Sequence, residues 1–377
     1  MVKFIEKQYK SIINKRKYID HWFWTRYGIN PYNGCQFGCI YCDSRSEHYH
    51  MPEDFHNEIM IKTNVDTMLD QRITRARTFQ PDVVGIGGVT DSYQPAEKKY
   101  ENTRNILKVL AKHQYPVHII TKSTLVLRDL DLLAEIAAQT WCTVSFTITT
   151  IDPKMAKFLD NHAPSPAKRL DTLRQIKEKA PEVQTGVLLM PLVPFLSDDE
   201  VGVEELITAV SQSNADYLMF GGAMTLRNLQ ADWFLKHLRV TYPELVTKYA
   251  KLYKFTETSE TYDGSYVPTG DYMITKHKML TELCEKHNLP YRIKRYIPND
   301  YRKTNYKIAE RMLNASYQRQ MFGQSYETLF WAGQNVQLLP EAIEAIAARG
   351  ELATIKNVRG NILKRIQRIL DEEQNSV

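Results

Sequence analysis

Between residues 82 and 244, short apolar segments alternate with segments of helical periodicity, and this constrains the fold more than any other feature. Asp82–Thr90, Val117–Ser123, Cys142–Thr150, Thr185–Val193 and Asp216–Met224 read as buried strands, several of them rich in β-branched residues. Helices are predicted between them. They cover Glu97–His113, Asp129–Ala138, a segment with Ser165 as N-cap and Pro166 at its first position, a segment capped by Ser197 with Glu200 in the capping-box place, and Gln230–Val240. Strand-helix repeats of this length build a parallel sheet from βαβ units. The segment Tyr27–Asn33 can supply one more strand at the front. The expected fold class is therefore α/β, a partial (β/α)6 barrel. Chemistry in barrels sits at the C-terminal ends of the strands. That rule selects Gly87–Asp91, Lys122, Thr147–Thr150, Met190–Pro191 and Gly221–Gly222.

Past residue 245 the pattern changes. Lys251–Asp271 is rich in Tyr, Thr and Gly and reads as an irregular connection, and from Tyr272 onward the chain reads as helices punctuated by Pro290, Pro298 and Pro340. We expect a barrel domain over residues 1–245, including an N-terminal extension, and a smaller, mainly helical domain over 246–377. A chain of 377 residues that is 43% hydrophobic can fill both cores. Its net charge of +5 permits an acidic partner such as nucleic acid without requiring one. The N-terminus lacks an apolar h-region, and the longest apolar run, Gly186–Leu196, is interrupted by Pro191 and Pro194. A cytoplasmic protein without membrane attachment is expected.

Three of the five cysteines, Cys35, Cys39 and Cys42, lie within eight residues; Cys142 and Cys284 stand alone. That distribution is a poor disulfide framework and suits thiolates held for a metal in a reducing compartment. Gly34 and Gly38 supply the backbone freedom to fold the loop tightly. An Fe–S cube normally takes four cysteines, so three leave one iron open for a ligand. A zinc site normally shows a second ligand pair elsewhere, and none is evident.

The Cys-x3-Cys-x2-Cys spacing, with an aromatic residue before the last cysteine, resembles the radical S-adenosylmethionine (SAM) superfamily. Further blocks resemble its spore photoproduct lyase-like family. These are Asn30-Pro31-Tyr32, Thr90–Glu97, Ile120–Ser123 with Leu127-Arg128-Asp129, Ser145–Thr150, and Ala163–Pro166 with Gly186–Leu189. Together they span roughly residues 28–230. The resemblance implies a 4Fe–4S cluster and SAM as cofactors. It also implies an electron donor for the cluster, reductive cleavage of SAM to a 5′-deoxyadenosyl radical, and a lyase-like or modification reaction on nucleic acid. In the lyase, a hydrogen-donating cysteine ends the second barrel strand. The matching position here is Val89, so a substrate other than spore photoproduct, or a hydrogen source such as a tyrosine, is expected.

The resemblance and the barrel rule together nominate contacts to SAM. Tyr41 stands where the superfamily places an aromatic beside the adenine, although a ring that shields the cluster is an equal reading. Gly87 and Gly88 allow close backbone approach, or simply make a tight turn, and Thr90 follows them. Lys122 is a candidate partner for the SAM carboxylate. Thr147 and Thr149 share one face of the fourth strand and can reach a ribose hydroxyl, although threonine also favours strands in its own right. Asp91, Tyr93 and Glu97 are candidate catalytic residues, with helix capping as the competing role for Asp91 or Ser92. Cys142 and Cys284 read as small core residues.

The segment 291–307 carries Arg292, Lys294, Arg295, Arg302 and Lys303 interleaved with tyrosines, a pattern suited to phosphates and bases. Asn14–Tyr18 adds positive charge. The tail 351–370, within a possible helix-hairpin-helix at 343–370, has the apolar framework Ile355, Val358, Ile362 and Ile366. Asn357 and Arg359 occupy the places of the two hairpin glycines, with Gly360 one step late. DNA or RNA is the expected partner of this region. A protein, peptide or small-molecule substrate, with the helices as a docking module, is the alternative. A metal-binding structural protein is a remote third.

Overall fold

The computed structural model describes residues 2–374 and separates into two compact units. One comprises the chain up to Lys15 together with Tyr27–Ile293; the other comprises Arg16–Arg26 and the chain from Lys294 onward.

In the first unit, six parallel strands follow one another in chain order: Tyr27–Ile29, Val84–Ile86, Val117–Thr121, Cys142–Thr147, Gln184–Leu189 and Tyr217–Phe220. Ile13–Lys15 adds an antiparallel edge beside the first. The first and sixth strands do not pair among the described residues, so the barrel is partial. Ile86, Ile119, Val144, Phe146, Val187 and Phe220 bury the strand faces against the surrounding helices. On the other face of the fourth strand, Ser145 Oγ meets His118 Nε2 at 2.6 Å and Tyr217 Oη at 2.5 Å. This buried polar bridge links three strands. The N-terminal extension forms a small sheet in which Glu58–Lys62 lies between Lys3–Lys7 and Tyr32–Asn33.

Several predicted strands run too long at the end where chemistry is expected. The second stops at Ile86 because Gly87 turns the chain with φ +89°. The helix expected over Glu97–His113 breaks at Glu101 (φ +49°) into Glu97–Tyr100 and Asn102–Lys112. Glu97 causes the break, since its carboxylate accepts the amide protons of Thr103 and Arg104 and caps the second piece. The cap before Glu200 is Asp199, which accepts from the Gly202 amide at 2.8 Å; the Ser197 hydroxyl accepts from the Val193 amide instead. Ser165 caps helix Pro166–Lys179.

The chain does not part at residue 245. Helix Tyr272–Lys286 buries His277, Leu280, Leu283 and Cys284 and packs on helix Glu200–Gln212. The Pro290 carbonyl accepts from the Leu218 amide at 2.9 Å, which covers the edge of the sixth strand. Residues 246–293 therefore belong to the barrel unit.

In the second unit, helix Arg302–Met321 packs along helix Glu327–Gln337. Residues 343–370 form helix Ile343–Ala348, a tight turn over Leu352–Thr354, and the start of helix Gly360–Gln374. Asn357 (φ +67°) and Gly360 (φ +52°) take the left-handed positions and Arg359 does not. A side chain with a Cβ resists that conformation, and the late glycine relieves Arg359 of it. No helix among the described residues is long and apolar enough to cross a membrane.

Candidate functional site

The cysteine loop follows the first barrel strand. Hydrogen bonds from Gly38 N to Cys35 O, Cys42 N to Cys39 O and Arg45 N to Cys42 O curl it on itself. Gly34 (φ +82°) permits the turn, since a Cβ there would lie 2.3 Å from the Glu58 carbonyl. The loop is fastened to the segment after the second strand. Gln94 Nε2 donates to the Gly34 carbonyl (3.0 Å), and Gln94 Oε1 accepts from the Gln36 amide (2.9 Å). Gln36 Oε1 in turn accepts from the Ala96 amide, Thr90 Oγ1 donates to the Tyr32 carbonyl, and Ser44 Oγ donates to the Val89 carbonyl.

Cys35 and Cys39 are buried and Cys42 is partly exposed. Burial, then the Asp91 charge and the Cys42 thiol, push the Cys35 thiol up to about 12. Burial and the Asp160 charge hold Cys39 well above the usual thiol range, with Cys42 and Cys35 adding to the effect. The three sulfurs thus stand within electrostatic reach of one another, and thiolates there demand a cation. Burial lowers the Arg45 guanidinium, and the charges of Cys42, Cys39 and Cys35 work against that. No three His, Cys, Asp or Glu side chains among the described residues converge closely enough for a single metal ion. Three soft sulfur donors spread over a wider space suit an Fe–S cube that is one ligand short.

Behind the loop lies a buried charge network that sequence reading missed. Asp160 accepts from the Tyr41 hydroxyl at 2.7 Å and from Arg169 Nη1 at 2.8 Å. Arg169, 1% exposed, also donates to the carbonyls of Thr147 and Pro164. Burial alone would raise Asp160, but Lys122 and Arg169 hold it below the ordinary carboxylate range. Burial would lower Lys122; the charges of Cys39, Asp160 and Asp91 outweigh this and hold it up at about 12. Its ammonium lies 5.5 Å from the Tyr41 ring centroid. The missed signal was Arg169 itself, which stands in helical register with the core residues Leu173 and Ile176.

The nominated residues divide. Gly87 is required by its own fold: a Cβ would lie 2.3 Å from the Ile120 carbonyl. Gly88 faces open space, with nothing within 4 Å of a Cβ. Thr90 serves the loop. Thr147 ends the fourth strand on the face of Ser145, with Thr149 just beyond, and both are buried. Asp91, Tyr93 and Glu97 are each engaged in hydrogen bonds within the fold. Asp91 accepts from the amides of Lys122 and Tyr93 and from Thr121 Oγ1, which ties the second strand end to the third. Tyr93 and Glu97 are wholly buried. The Tyr93 hydroxyl donates to Asp129 at 3.0 Å, while Glu97 pairs with Arg128 at 2.7 Å and accepts from the Tyr32 hydroxyl. Cys142 and Cys284 are buried core residues.

The basic segment also divides. Arg295 is 3% exposed, its guanidinium 4.0 Å from the Tyr306 ring centroid and 4.8 Å from that of Trp24, and it donates to Gln337 at 2.7 Å. Arg302, 6% exposed, pairs with Asp300 at 2.6 Å. Neither is available to phosphate, whereas Lys294 and Lys303 are exposed and Arg292 is partly so. Composition alone cannot say which cations a segment turns inward.

The Radical SAM superfamily model matches residues 29–207. An uncharacterized protein of Mycobacterium tuberculosis is 32% identical over 268 residues, covering 70% of this chain and 75% of its own length. An uncharacterized protein of Methanocaldococcus jannaschii is 29% identical over 223 residues, covering 58% of this chain and 78% of its own. Spore photoproduct lyase complexed with dinucleoside spore photoproduct shares the fold, with TM-score 0.56 at 15% identity over 75% of this chain and 79% of that one. A mutant of that lyase with bound AdoMet and dinucleoside spore photoproduct gives 0.54 at 15% identity, over 70% and 74%. Radical SAM enzymes use a 4Fe–4S cluster and SAM. With three cysteines in the loop that follows the first strand of a partial parallel barrel, the chain belongs to the radical SAM superfamily.

Proposed function

We propose that Cys35, Cys39 and Cys42 hold the 4Fe–4S cluster and that the enzyme acts on a nucleic acid other than one carrying spore photoproduct. Three thiols on one short loop, each within electrostatic reach of another, carry the first half of this reading. When bound, cluster and SAM together supply a 5′-deoxyadenosyl radical by reductive cleavage. The protein binds, orients and excludes water. Lys122 would offer an ammonium to the SAM carboxylate, Gly88 would give its backbone room to approach, and Thr147 and Thr149 would offer hydroxyls to the ribose. Tyr41 is pinned by Asp160 beside the cluster. Asp91, Tyr93, Glu97 and Thr90 are positioning residues that keep the loop in register with the strand ends.

The fold shared with a lyase solved with dinucleoside spore photoproduct supports the nucleic-acid class. Val89, at the place of the lyase's thiol, lacks a transferable hydrogen of comparable weakness, so another hydrogen source is needed. Anaerobic reconstitution followed by a 5′-deoxyadenosine assay, with and without DNA or RNA, tests the reading. Stimulation by nucleic acid with steep salt dependence supports it. Efficient repair of a synthetic spore photoproduct would overturn the substrate assignment. The burial of Arg295 and Arg302 favours a second reading, in which the substrate is a protein, peptide or small molecule and the helical unit docks it.

A further inference from the structure

Two cavities lie against the cysteine loop, and none of the proposed SAM contacts lines either. The first, of about 530 Å³, is bounded by Gly38, Ile40, Lys154, Lys157, Trp233 and Tyr242 among others. The second, of about 570 Å³, is bounded by Phe37, Lys98, Ser123 and Arg128 among others. Asn161 and His162 line both, so the two meet and form one groove past residues 37–40.

No carboxylate lines either cavity. Lys98, Lys154 and Lys157 are exposed, and none of them forms an ion pair among the described residues. The acids adjacent in sequence are matched elsewhere. Glu97 and Asp129 pair with Arg128, Asp160 pairs with Arg169, and Asp152 caps helix Pro153–Leu159. Three ammonium groups are thus left without an acidic partner, and they are divided between the two cavities. A small anion would meet one end of that array, whereas a chain of anions would meet both.

The wall of the first cavity is aromatic. Phe158 and Tyr242 pack edge to face with ring centroids 5.0 Å apart, and both stay partly exposed. Trp233 is fixed by the Arg45 guanidinium, 4.3 Å from its ring, and by His237, 4.6 Å away. His237 is fixed in turn, since its Nδ1 donates to the Trp233 carbonyl at 2.8 Å. Unmatched cations beside braced rings suit a ligand that carries phosphates and flat bases together.

Resting on the nucleic-acid reading above, we propose that this groove binds a single strand of nucleic acid through nucleotides that flank the reacting one. Lys98, Lys154 and Lys157 meet separate phosphates, and an unpaired base stacks on Tyr242 and Phe158. A duplex stacks its bases against one another, so rings recessed in a cavity can be met only by bases that are unpaired. Each cavity has the volume of a site for one small ligand, about 300–1,000 Å³, so the groove spans about two nucleotides.

The test measures anisotropy of a labelled oligonucleotide with the full-length, reconstituted protein. The probes are a mixed-sequence single strand and an abasic strand of equal length. A single strand releases about 0.7 counterion per phosphate contact, so Lys98→Ala, Lys154→Ala and Lys157→Ala combined should flatten the slope of log K against log salt by about two units. Iron content and the unfolding midpoint of this triple variant should match the parent. Tyr242→Ala should weaken the ordinary strand about fivefold or more and leave the abasic strand unchanged, because only the former can stack. Binding by the parent with an unchanged slope in the triple variant would overturn the groove. So would an equal loss for both strands in Tyr242→Ala, or displacement of the strand from the parent by polyglutamate at equal charge, which would make an acidic protein segment the occupant. Failure of the parent to bind either strand would instead sink the nucleic-acid reading itself.

Discussion

The loop from Cys35 to Cys42 and the segment 291–307 are both dense in chemistry-bearing side chains, and the fold uses them in opposite ways. In the loop, backbone bonds between neighbours three residues apart fold Cys35, Cys39 and Cys42 into one short turn, with the thiols in electrostatic reach of one another. In the segment, two of the five nominated cations turn inward, Arg295 onto Tyr306 and Trp24 and Arg302 onto Asp300. Spacing within a tight turn is a geometric statement, whereas a run of like charges is not. Which arginine is buried depends on whether an aromatic face or a carboxylate waits for it on another element.

The largest effect that would break this contrast lies in the loop. Replacing Cys35, Cys39 or Cys42 singly with Ala should abolish both the broad cluster absorption and SAM cleavage. Full iron content and turnover in all three variants would show that the thiols do not act as one set.

The buried charges of the two units sharpen it next. Arg169→Met leaves Asp160 without the cation that is hydrogen-bonded to it and should cost about 3–5 kcal/mol in denaturant unfolding. In the second unit, Arg295→Ala should cost about 2–3 kcal/mol through lost ring contacts and an unsatisfied Gln337. Its exposed neighbour should be nearly silent, with Lys294→Ala within about 0.5 kcal/mol of the parent. If Arg295→Ala is silent and Lys294→Ala costly, the inward and outward assignments are reversed.

The adjacent glycines make a finer test. Gly87→Ala meets both a positive φ and the Ile120 carbonyl, and should cost at least about 1–2 kcal/mol. Gly88→Ala should leave stability unchanged and weaken SAM binding, measured by calorimetry on the reconstituted protein. Equal stability of the two variants would remove the distinction between a glycine the fold needs and one the ligand needs.

The smallest effect belongs to Asp300. Burial works to raise its carboxyl, and its hydrogen bonds and charge pairing with Arg302 outweigh this and hold it below the ordinary range. The resulting stability is present above the unfolded carboxylate pKa and is lost as pH falls through the lower folded value. Asp300→Asn should therefore cost less than about 1 kcal/mol at neutral pH, because the carboxylate is half-exposed, and the gap should close in acid. A gap that widens in acid would show that Asp300 is not held ionised by Arg302.

Much of the barrel was legible because each signal was local. Short apolar segments rich in β-branched residues form strands at 117–121 and 142–147, and Ser165 caps the helix it precedes. The sequence says least where a side chain reaches across the chain. Glu97, a catalytic candidate by its place after the second strand, caps helix Asn102–Lys112 and pairs with Arg128, 31 residues away. The unit boundary moved from 245 to 293 because helix Tyr272–Lys286 buries its apolar face on the barrel, and no composition shift records that.

The sequence by itself determined the parallel α/β architecture and the three-cysteine loop, since both follow from periodicity and spacing along one stretch of chain. Only the tertiary structure decided that Asp160, Arg169, Lys122 and Tyr41 form one buried charge network. Only it separated the glycine that packs from the glycine that faces open space, and the arginines that stack from the lysines that remain in water. The physical reason is that a buried charge or a missing Cβ has meaning only against the atoms that surround it, and those atoms come from segments distant in sequence.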